Sequence, residues 1–286
     1  MKLVMFTNFA KIDTAEAVKM IAEAGFDAVD LSLFRMNHEG DALAGDNYLA
    51  EVERIRAAAE ECGMTFEQAH APFRFKNQAD YEGEVLPLTL RAIEIAGMLG
   101  VKTMVVHPIH YGDYRKNKDE MRQKSIAYYR ALIPYCEKYG VKVAFENMWQ
   151  CNEFTRNIED DTCSSAEEFA SWFDEINSHW ITGCLDLGHC PIVGRSTGDF
   201  IRHIGADRIG CLHVHDNDFL HDSHTQPYFG KMDWDDITAA LKEVGYKGNF
   251  TYETDTFLSR LPQELWLDGL KFQERIGRHL IKKIEG

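Results

Sequence analysis

No apolar run in this 286-residue chain approaches the ~20 residues that a membrane-spanning helix needs. The opening MKLVMFTNFA holds one lysine and breaks at Asn8, so it lacks the apolar region of a signal peptide and is expected to form a first strand. Charge of positive sign is scarce: 31 Lys and Arg stand against 46 Asp and Glu, a net charge of −15. Proteins that neutralise phosphates usually carry a basic face, so this balance argues against a nucleic-acid partner. The seven cysteines are odd in number and show no C-x-x-C spacing, Cys151 and Cys163 at the ends of one loop included. They are expected to be reduced, small, mostly buried side chains of a cytoplasmic protein. A Gly-rich phosphate cradle is also missing, as is any linker, low-complexity tract or charge block that would divide the chain, so one domain over 1–286 is expected.

What is present is a soluble globular composition, 45 % apolar and 27 % charged, at a length that suits one α/β barrel of about 250 residues. Strand-like runs at 2–8, 28–33, 65–71, 102–109, 142–148, 181–187, 208–216 and 249–254 alternate with helical patterns. The helices are expected near 13–24, 47–61, 82–98, 118–138, 164–176, 199–204, 234–244 and 263–283. Eight strands each followed by a helix predict a (β/α)8 TIM barrel. Asp13 and the pair Ser165/Glu168 read as helix starts, the latter as a capping box. Gly25, Gly63, Gly100, Gly140 and Gly245 each fall just past a helical pattern, where a left-handed cap is wanted. The long connections, 34–46, 72–81, 149–163, 188–198 and 217–233, all follow strands. In this fold those loops build the active site.

Four donors close predicted strands: Glu146 in VKVAFENM, Asp186 in ITGCLDLGH, His215 in IGCLHVHDND and Glu253 in NFTYETD. Oxygen and nitrogen donors at successive strand ends converge on one mouth of a barrel and predict a divalent-metal site. Strand alternation sets Ala144, Cys184, Cys211 and Thr251 beneath them, small residues that suit a filled interior. His70 and His107 end strands three and four, His189 lies three residues past Asp186, and Asp222 with His224 forms an Asp-x-His in the loop after strand seven. His38, His110, His179, His203 and His221 lack this placement and receive no role.

The stretches HAPF (70–73), VVHP (105–108), FENM (145–148), CLDLGHC (184–190), LHVHDND (212–218), DSH (222–224) and YET (252–254) run in order from strand three to strand eight. With them the chain resembles the xylose-isomerase-like TIM-barrel superfamily, which includes sugar isomerases, ketose 3-epimerases, inosose dehydratases and apurinic-site endonucleases. The epimerase pattern implies Glu146, Asp186, His215 and Glu253 as metal ligands. Of the two histidines in LHVHDND the second fits that pattern better, because Asp218 follows it by three residues. The resemblance further implies Glu146 and Glu253 as the acid/base pair and His189 as a substrate contact. His70, His107, His224 and Trp149 are expected to face the same substrate, and Phe6, Phe34 and Phe257 are further aromatic candidates at the mouth. The nuclease pattern asks for three zinc ions, and His70, His107, Glu146, Asp186, His189, His215, Asp222, His224 and Glu253 offer a counterpart for each ligand.

The reading that follows is a sugar isomerase or epimerase, using one divalent ion, Mn²⁺ first and Mg²⁺, Co²⁺ or Zn²⁺ as alternatives. Proton abstraction beside a carbonyl would give a cis-enediolate, with one glutamate removing the proton and the other returning it on the opposite face. Three alternatives remain open: a dehydratase or lyase on an inosose or 3-keto-glycoside, a zinc-dependent apurinic-site endonuclease, and a metal-binding barrel without turnover. Arg35, Arg74, Lys76, Arg156, Arg195 and Lys231 are scattered among acids in the strand-to-helix loops, which weighs against DNA. The expected partner is a small sugar, with no membrane and no nucleic acid, and the resemblance allows a homo-oligomer.

Overall fold

The computed structural model describes residues 1–9, 12–73 and 81–286; Arg74 and Lys76 therefore lie outside the described residues. Eight parallel strands form the barrel: β1 (Leu3–Phe6), β2 (Ala28–Ser32), β3 (Phe66–His70), β4 (Thr103–Val105), β5 (Lys142–Glu146), β8 (Ile181–Asp186), β9 (Ile209–His213) and β10 (Phe250–Tyr252). Their spatial order is β10-β1-β2-β3-β4-β5-β8-β9. A parallel bridge between Val214 and Tyr252 joins the two ends, with Val214 N donating to Thr251 O at 2.9 Å. The (β/α)8 TIM barrel expected from the alternating pattern is the architecture observed. The remaining strands, β6 (Trp149–Cys151) and β7 (Ile158–Asp160), form an antiparallel hairpin inside the 149–163 connection. Three-residue strands of mixed polarity leave no period in a sequence, so this region reads there only as a loop.

Helices α1 (Thr14–Ala24), α2 (Tyr48–Cys62), α3 (Leu86–Met98), α4 (Tyr114–Tyr139), α5 (Ala166–Ile176), α6 (Thr197–Ile204), α7 (Trp234–Glu243) and α8 (Trp266–Glu285) follow the barrel strands. In α1 the buried residues Ala17, Val18, Ile21 and Ala24 recur at helical spacing and face the sheet. Asp13 caps it as expected, accepting from Ala15 and Glu16 N–H. Ser165 caps α5 by accepting from Glu168 N at 3.2 Å, but the Glu168 carboxylate accepts from Tyr114 Oη at 2.6 Å, so only half of the expected capping box involves the cap. All five glycines predicted as caps take positive φ, from 67° at Gly63 to 98° at Gly25. Helix α4 starts at Tyr114, earlier than its apolar pattern shows, because Asp113 accepts from Arg115 N and caps it. No helix among the described residues is long and apolar enough to cross a membrane.

Most of the apolar core lies between sheet and helices, where Trp172, Tyr129, Phe145 and Phe169 are among the large side chains fully buried. The barrel interior is separate. Val105, Ala144, Cys184 and Cys211 pack there as their own small cluster, the last three being the small residues expected beneath the strand-end donors. On the opposite side the layer is polar: Gln68 Nε2 donates to Asp30 Oδ2 at 3.0 Å, and Thr251 Oγ1 donates to Gln68 Oε1 at 3.0 Å. All seven cysteines are free thiols, Cys151 and Cys163 among them.

Candidate functional site

Directly above this layer, at the C-terminal strand ends, Glu146, Asp186, His213 and Glu253 bring one donor atom each to within 4.8 Å of one another, all buried. His213 Nδ1 lies 2.9 Å from Glu146 Oε1, 3.0 Å from Glu253 Oε2 and 3.8 Å from Asp186 Oδ2. The histidine among the three carboxylates is thus His213 and not His215, the one that the resemblance implies. Register supplies the reason. Asp186 pairs with His213 across β8 and β9, so the two occupy one level, whereas His215 stands two residues further up. The acid that pointed to His215 is also elsewhere: Asp218 faces solvent, where its carboxylate accepts from Leu220 and His221 N–H and pairs with His221 Nδ1 at 2.9 Å.

Two further donor groups adjoin this one. His70 and His107 meet Nε2 to Nε2 at 3.1 Å, with Glu146 Oε2 at 3.7 Å and 3.0 Å from them. His70 Nδ1 lies 2.8 Å from Ala71 O, which holds the proton on Nδ1 and leaves Nε2 as a lone-pair donor. On the other side His189, His215, Asp222 and His224 form a third group. His215 Nε2 is 3.0 Å from Asp186 Oδ1 and its ring stacks on His224 at 4.1 Å; His224 Nε2 is 3.1 Å from Asp222 Oδ2. His189 Nδ1 lies 2.7 Å from Asn147 O, which turns Nε2 toward Asp222. Asn147 also grips the end of β8, accepting from Asp186 N at 2.7 Å and donating to Asp186 O at 2.9 Å.

Electrostatics tie these groups together. Burial, the largest influence, opposes ionisation of Glu146 and Glu253, but the charge of His213 together with the charges and hydrogen bonds of the neighbouring histidines outweighs it, so Glu146 is held well below the usual carboxylate range and Glu253 at about 2. Burial likewise disfavours a charged His189, yet Asp186 and Asp222 raise it to about 10. His107 is the exception, its pKa lowered chiefly by burial, which suits a neutral ligand. Glu146 Oε2, His213 Nε2, His215 Nδ1 and Asp222 Oδ1 are buried without a hydrogen-bond partner. Clustered carboxylates and imidazoles fit a divalent cation, which would satisfy the orphaned carboxylate oxygens Glu146 Oε2 and Asp222 Oδ1.

The donors open onto a cavity of about 400 Å³. His70, His107, His189, His224 and Trp149, the residues expected to face substrate, all line it together with Glu146 and Glu253. Trp149 is also held by the site, its Nε1 donating to Asp222 Oδ2 at 3.1 Å. Of the other aromatic candidates only Phe34 lines the cavity, joined by Phe73; Phe6 is buried behind Phe34, and Phe257 packs against Phe229. The sequence reading missed His110 and Asp161, which share the cavity wall.

The barrel and its strand-end donors define a class, a TIM barrel with carboxylate–imidazole chemistry at the C-terminal mouth. The family profile of the xylose isomerase-like TIM barrels matches residues 18–276, and the chain belongs to that family. A D-psicose 3-epimerase of Enterocloster bolteae is 24 % identical over 245 residues, covering 82 % of this chain and 75 % of that one. Among solved structures, a D-tagatose 3-epimerase-like protein superposes with a TM-score of 0.77 at 19 % identity, over 100 % of this chain and 98 % of that one. The IOLI protein, solved with a bound zinc atom, gives 0.75 at 19 % identity, over 99 % and 98 %.

Proposed function

We propose that this protein is a divalent-metal-dependent sugar isomerase or epimerase that enolises a keto-sugar. The observation that carries the reading is the pair Glu146 and Glu253 flanking His213 at 2.9 and 3.0 Å, both at the floor of a cavity walled by aromatic rings. Glu146, Asp186, His213 and Glu253 would hold the cation, which when bound would polarise the sugar carbonyl and its neighbouring hydroxyl and stabilise the developing negative charge. With the cation bound and His213 neutral as its ligand, the cation's charge would keep both glutamates ionised, the form that accepts a proton. One takes the proton from the carbon beside the carbonyl, and the other, on the far side, returns it to give the isomer or epimer. Phe34, Phe73 and Trp149 cover the sugar's apolar face and exclude water, while His189 supplies a donor for a hydroxyl. The related D-psicose 3-epimerase supports this reaction class.

A second reading, metal-dependent phosphoester hydrolysis, is favoured by one observation: the His70/His107 and His189/His215/Asp222/His224 groups could hold further cations. Elemental mass spectrometry on protein purified without chelator separates the two, paired with deuterium uptake from heavy water into a ketose panel. One ion per chain with exchange supports enolisation. Two or three zinc ions per chain without exchange would put hydrolysis first. Glu146→Gln and Glu253→Gln should each lower exchange by about 10²–10⁴-fold while the far-UV circular dichroism is retained; near-normal exchange in either would refute the two-glutamate mechanism.

A further inference from the structure

Beneath the strand-end carboxylates the barrel interior holds a thiol that the proposed reaction does not use. Cys184 packs there with Val105, Ala144 and Cys211 and is 0 % exposed. Register sets it beside the donors above. It pairs with Glu146 across β5 and β8 and with Cys211 across β8 and β9. Cys184 lies two residues before Asp186, as Cys211 does before His213, so both thiols belong to the level below those ligands. The Cys184 thiol meets that of Cys211 on one side and Glu146 on the other.

Glu146, Cys184 and His213 each bring one donor atom to within 4.8 Å of the others, and all three residues are buried. Ligands of one tetrahedral zinc ion, bound at about 2.0–2.3 Å, stand about 3–4 Å apart. Side-chain movements of about an ångström therefore close this triangle on a cation. Glu146 Oε2 is buried without a hydrogen-bond partner, so the carboxylate keeps an acceptor free. Glu146 also lines the inner cavity, which gives an ion its way in. Asp186 and Glu253 join Glu146 and His213 in the upper set and have no place in this one.

The two sets differ in hardness. Three carboxylates and one imidazole suit hard ions such as Mn²⁺ and Mg²⁺, whereas a set in which a thiolate stands for two of the carboxylates favours soft ones. We propose that Cys184, Glu146 and His213 form a second, deeper seat for a thiophilic cation of the zinc and cadmium kind. Both seats use Glu146 and His213, so only one is filled at a time. As the cation enters, a sulfur–metal bond forms, the thiol proton leaves to solvent, and no electron is transferred. A soft ion held in this way is drawn away from Asp186 and Glu253, so Cys184 governs which metals serve the mouth of the barrel. That consequence for the reaction rests on the enolisation reading; the seat rests on the donor geometry alone.

Titration of reduced, metal-free protein with Co²⁺ and with Cd²⁺ tests the seat without turnover. Either ion bonded to a thiolate gives a strong sulfur-to-metal charge-transfer absorption in the ultraviolet that oxygen and nitrogen ligands do not give. The parent protein should show this band, Cys184→Ser should lose it while still binding the ion, and Cys211→Ser should keep it. Serine sets an oxygen where the sulfur was at nearly the same size, and far-UV circular dichroism checks that the fold is retained. In competition followed by Mn²⁺ electron paramagnetic resonance, Cd²⁺ should displace Mn²⁺ from the upper seat. The preference for Cd²⁺ over Mn²⁺ should fall by at least about ten-fold in Cys184→Ser. Because a ratio of affinities is read, partial loss of folded protein cancels. A band that persists in Cys184→Ser, or a parent protein that shows none, would overturn the seat. An unchanged preference in Cys184→Ser would overturn the role of the thiol in metal choice. None of these readouts needs a sugar, so a ketose panel without deuterium uptake would remove the enolisation and leave the seat standing.

Discussion

Gly188 sits in the turn between Asp186 and His189 with φ −76° and ψ −27°, a backbone any residue can adopt. Its constraint is space. A Cβ there would lie 2.1 Å from His215 Cε1 and 2.6 Å from Nδ1, against 3.4 Å for ordinary contact, so the ring would have to move by more than an ångström. His215 is 0 % exposed, stacked on His224 at 4.1 Å and 3.0 Å from Asp186 Oδ1, and retreat breaks one of these contacts. Overpacking of this kind costs about 1–3 kcal/mol, so Gly188→Ala should lower stability by that amount. Urea unfolding of chelator-treated protein measures it without a contribution from bound metal. The double variant with His215→Ala isolates the cause, since the added methyl then enters vacated space and the coupling should approach the whole penalty. If Gly188→Ala costs the same whether or not His215 is present, the steric argument fails. Metal content is a second readout: any ion bound by the His189/His215/Asp222/His224 group should fall before one bound around His213.

The two histidines of LHVHDND separate cleanly by metal analysis. His213→Gln should weaken the cation held by Glu146, Asp186 and Glu253 by at least the roughly 10–100-fold seen for lost supporting groups, and His215→Gln should not; the reverse order would return the ligand role to His215. Asp30, wholly buried, is pushed up by burial to about 7, with His213 and His70 pulling the other way. A carboxyl raised in the folded state contributes stability that is full below about pH 4 and is lost as pH rises through 7, a ceiling of about 4 kcal/mol. Metal-free Asp30→Asn should therefore gain on the parent protein between pH 5 and 8 in urea midpoint, and a constant difference would dismiss the titration. Adding Mn²⁺ or Zn²⁺ at about a hundred times its dissociation constant should stabilise the protein by about 2.7 kcal/mol, and an unmoved melting temperature with both would count against a metal site.

Legibility in the sequence followed the range of the cause. Barrel strands, the Asp13 and glycine caps and the small interior residues Ala144, Cys184 and Cys211 depend on local period and spacing and are readable, whereas the Asp113 cap of α4 precedes its apolar pattern and is not. The choice between His213 and His215 was not. Both share one parity, so the period of two sends both side chains inward and only the β8–β9 register decides which stands at the level of Asp186 and among the three carboxylates. His110 was passed over because its partner, Asp161, is brought to it by the hairpin, 51 residues away in sequence.

By itself the sequence determined the barrel, the end of it that carries the chemistry, and the carboxylates and histidines that can meet there, because hydrophobic period and strand ends are properties of short segments. Tertiary structure alone decided how those donors divide into three groups, which histidine stands among the carboxylates, and that His110 pairs with Asp161 in the cavity wall. Those outcomes depend on distances between strands and loops far apart in the chain, and distance across a barrel is set by register and packing rather than by any local pattern.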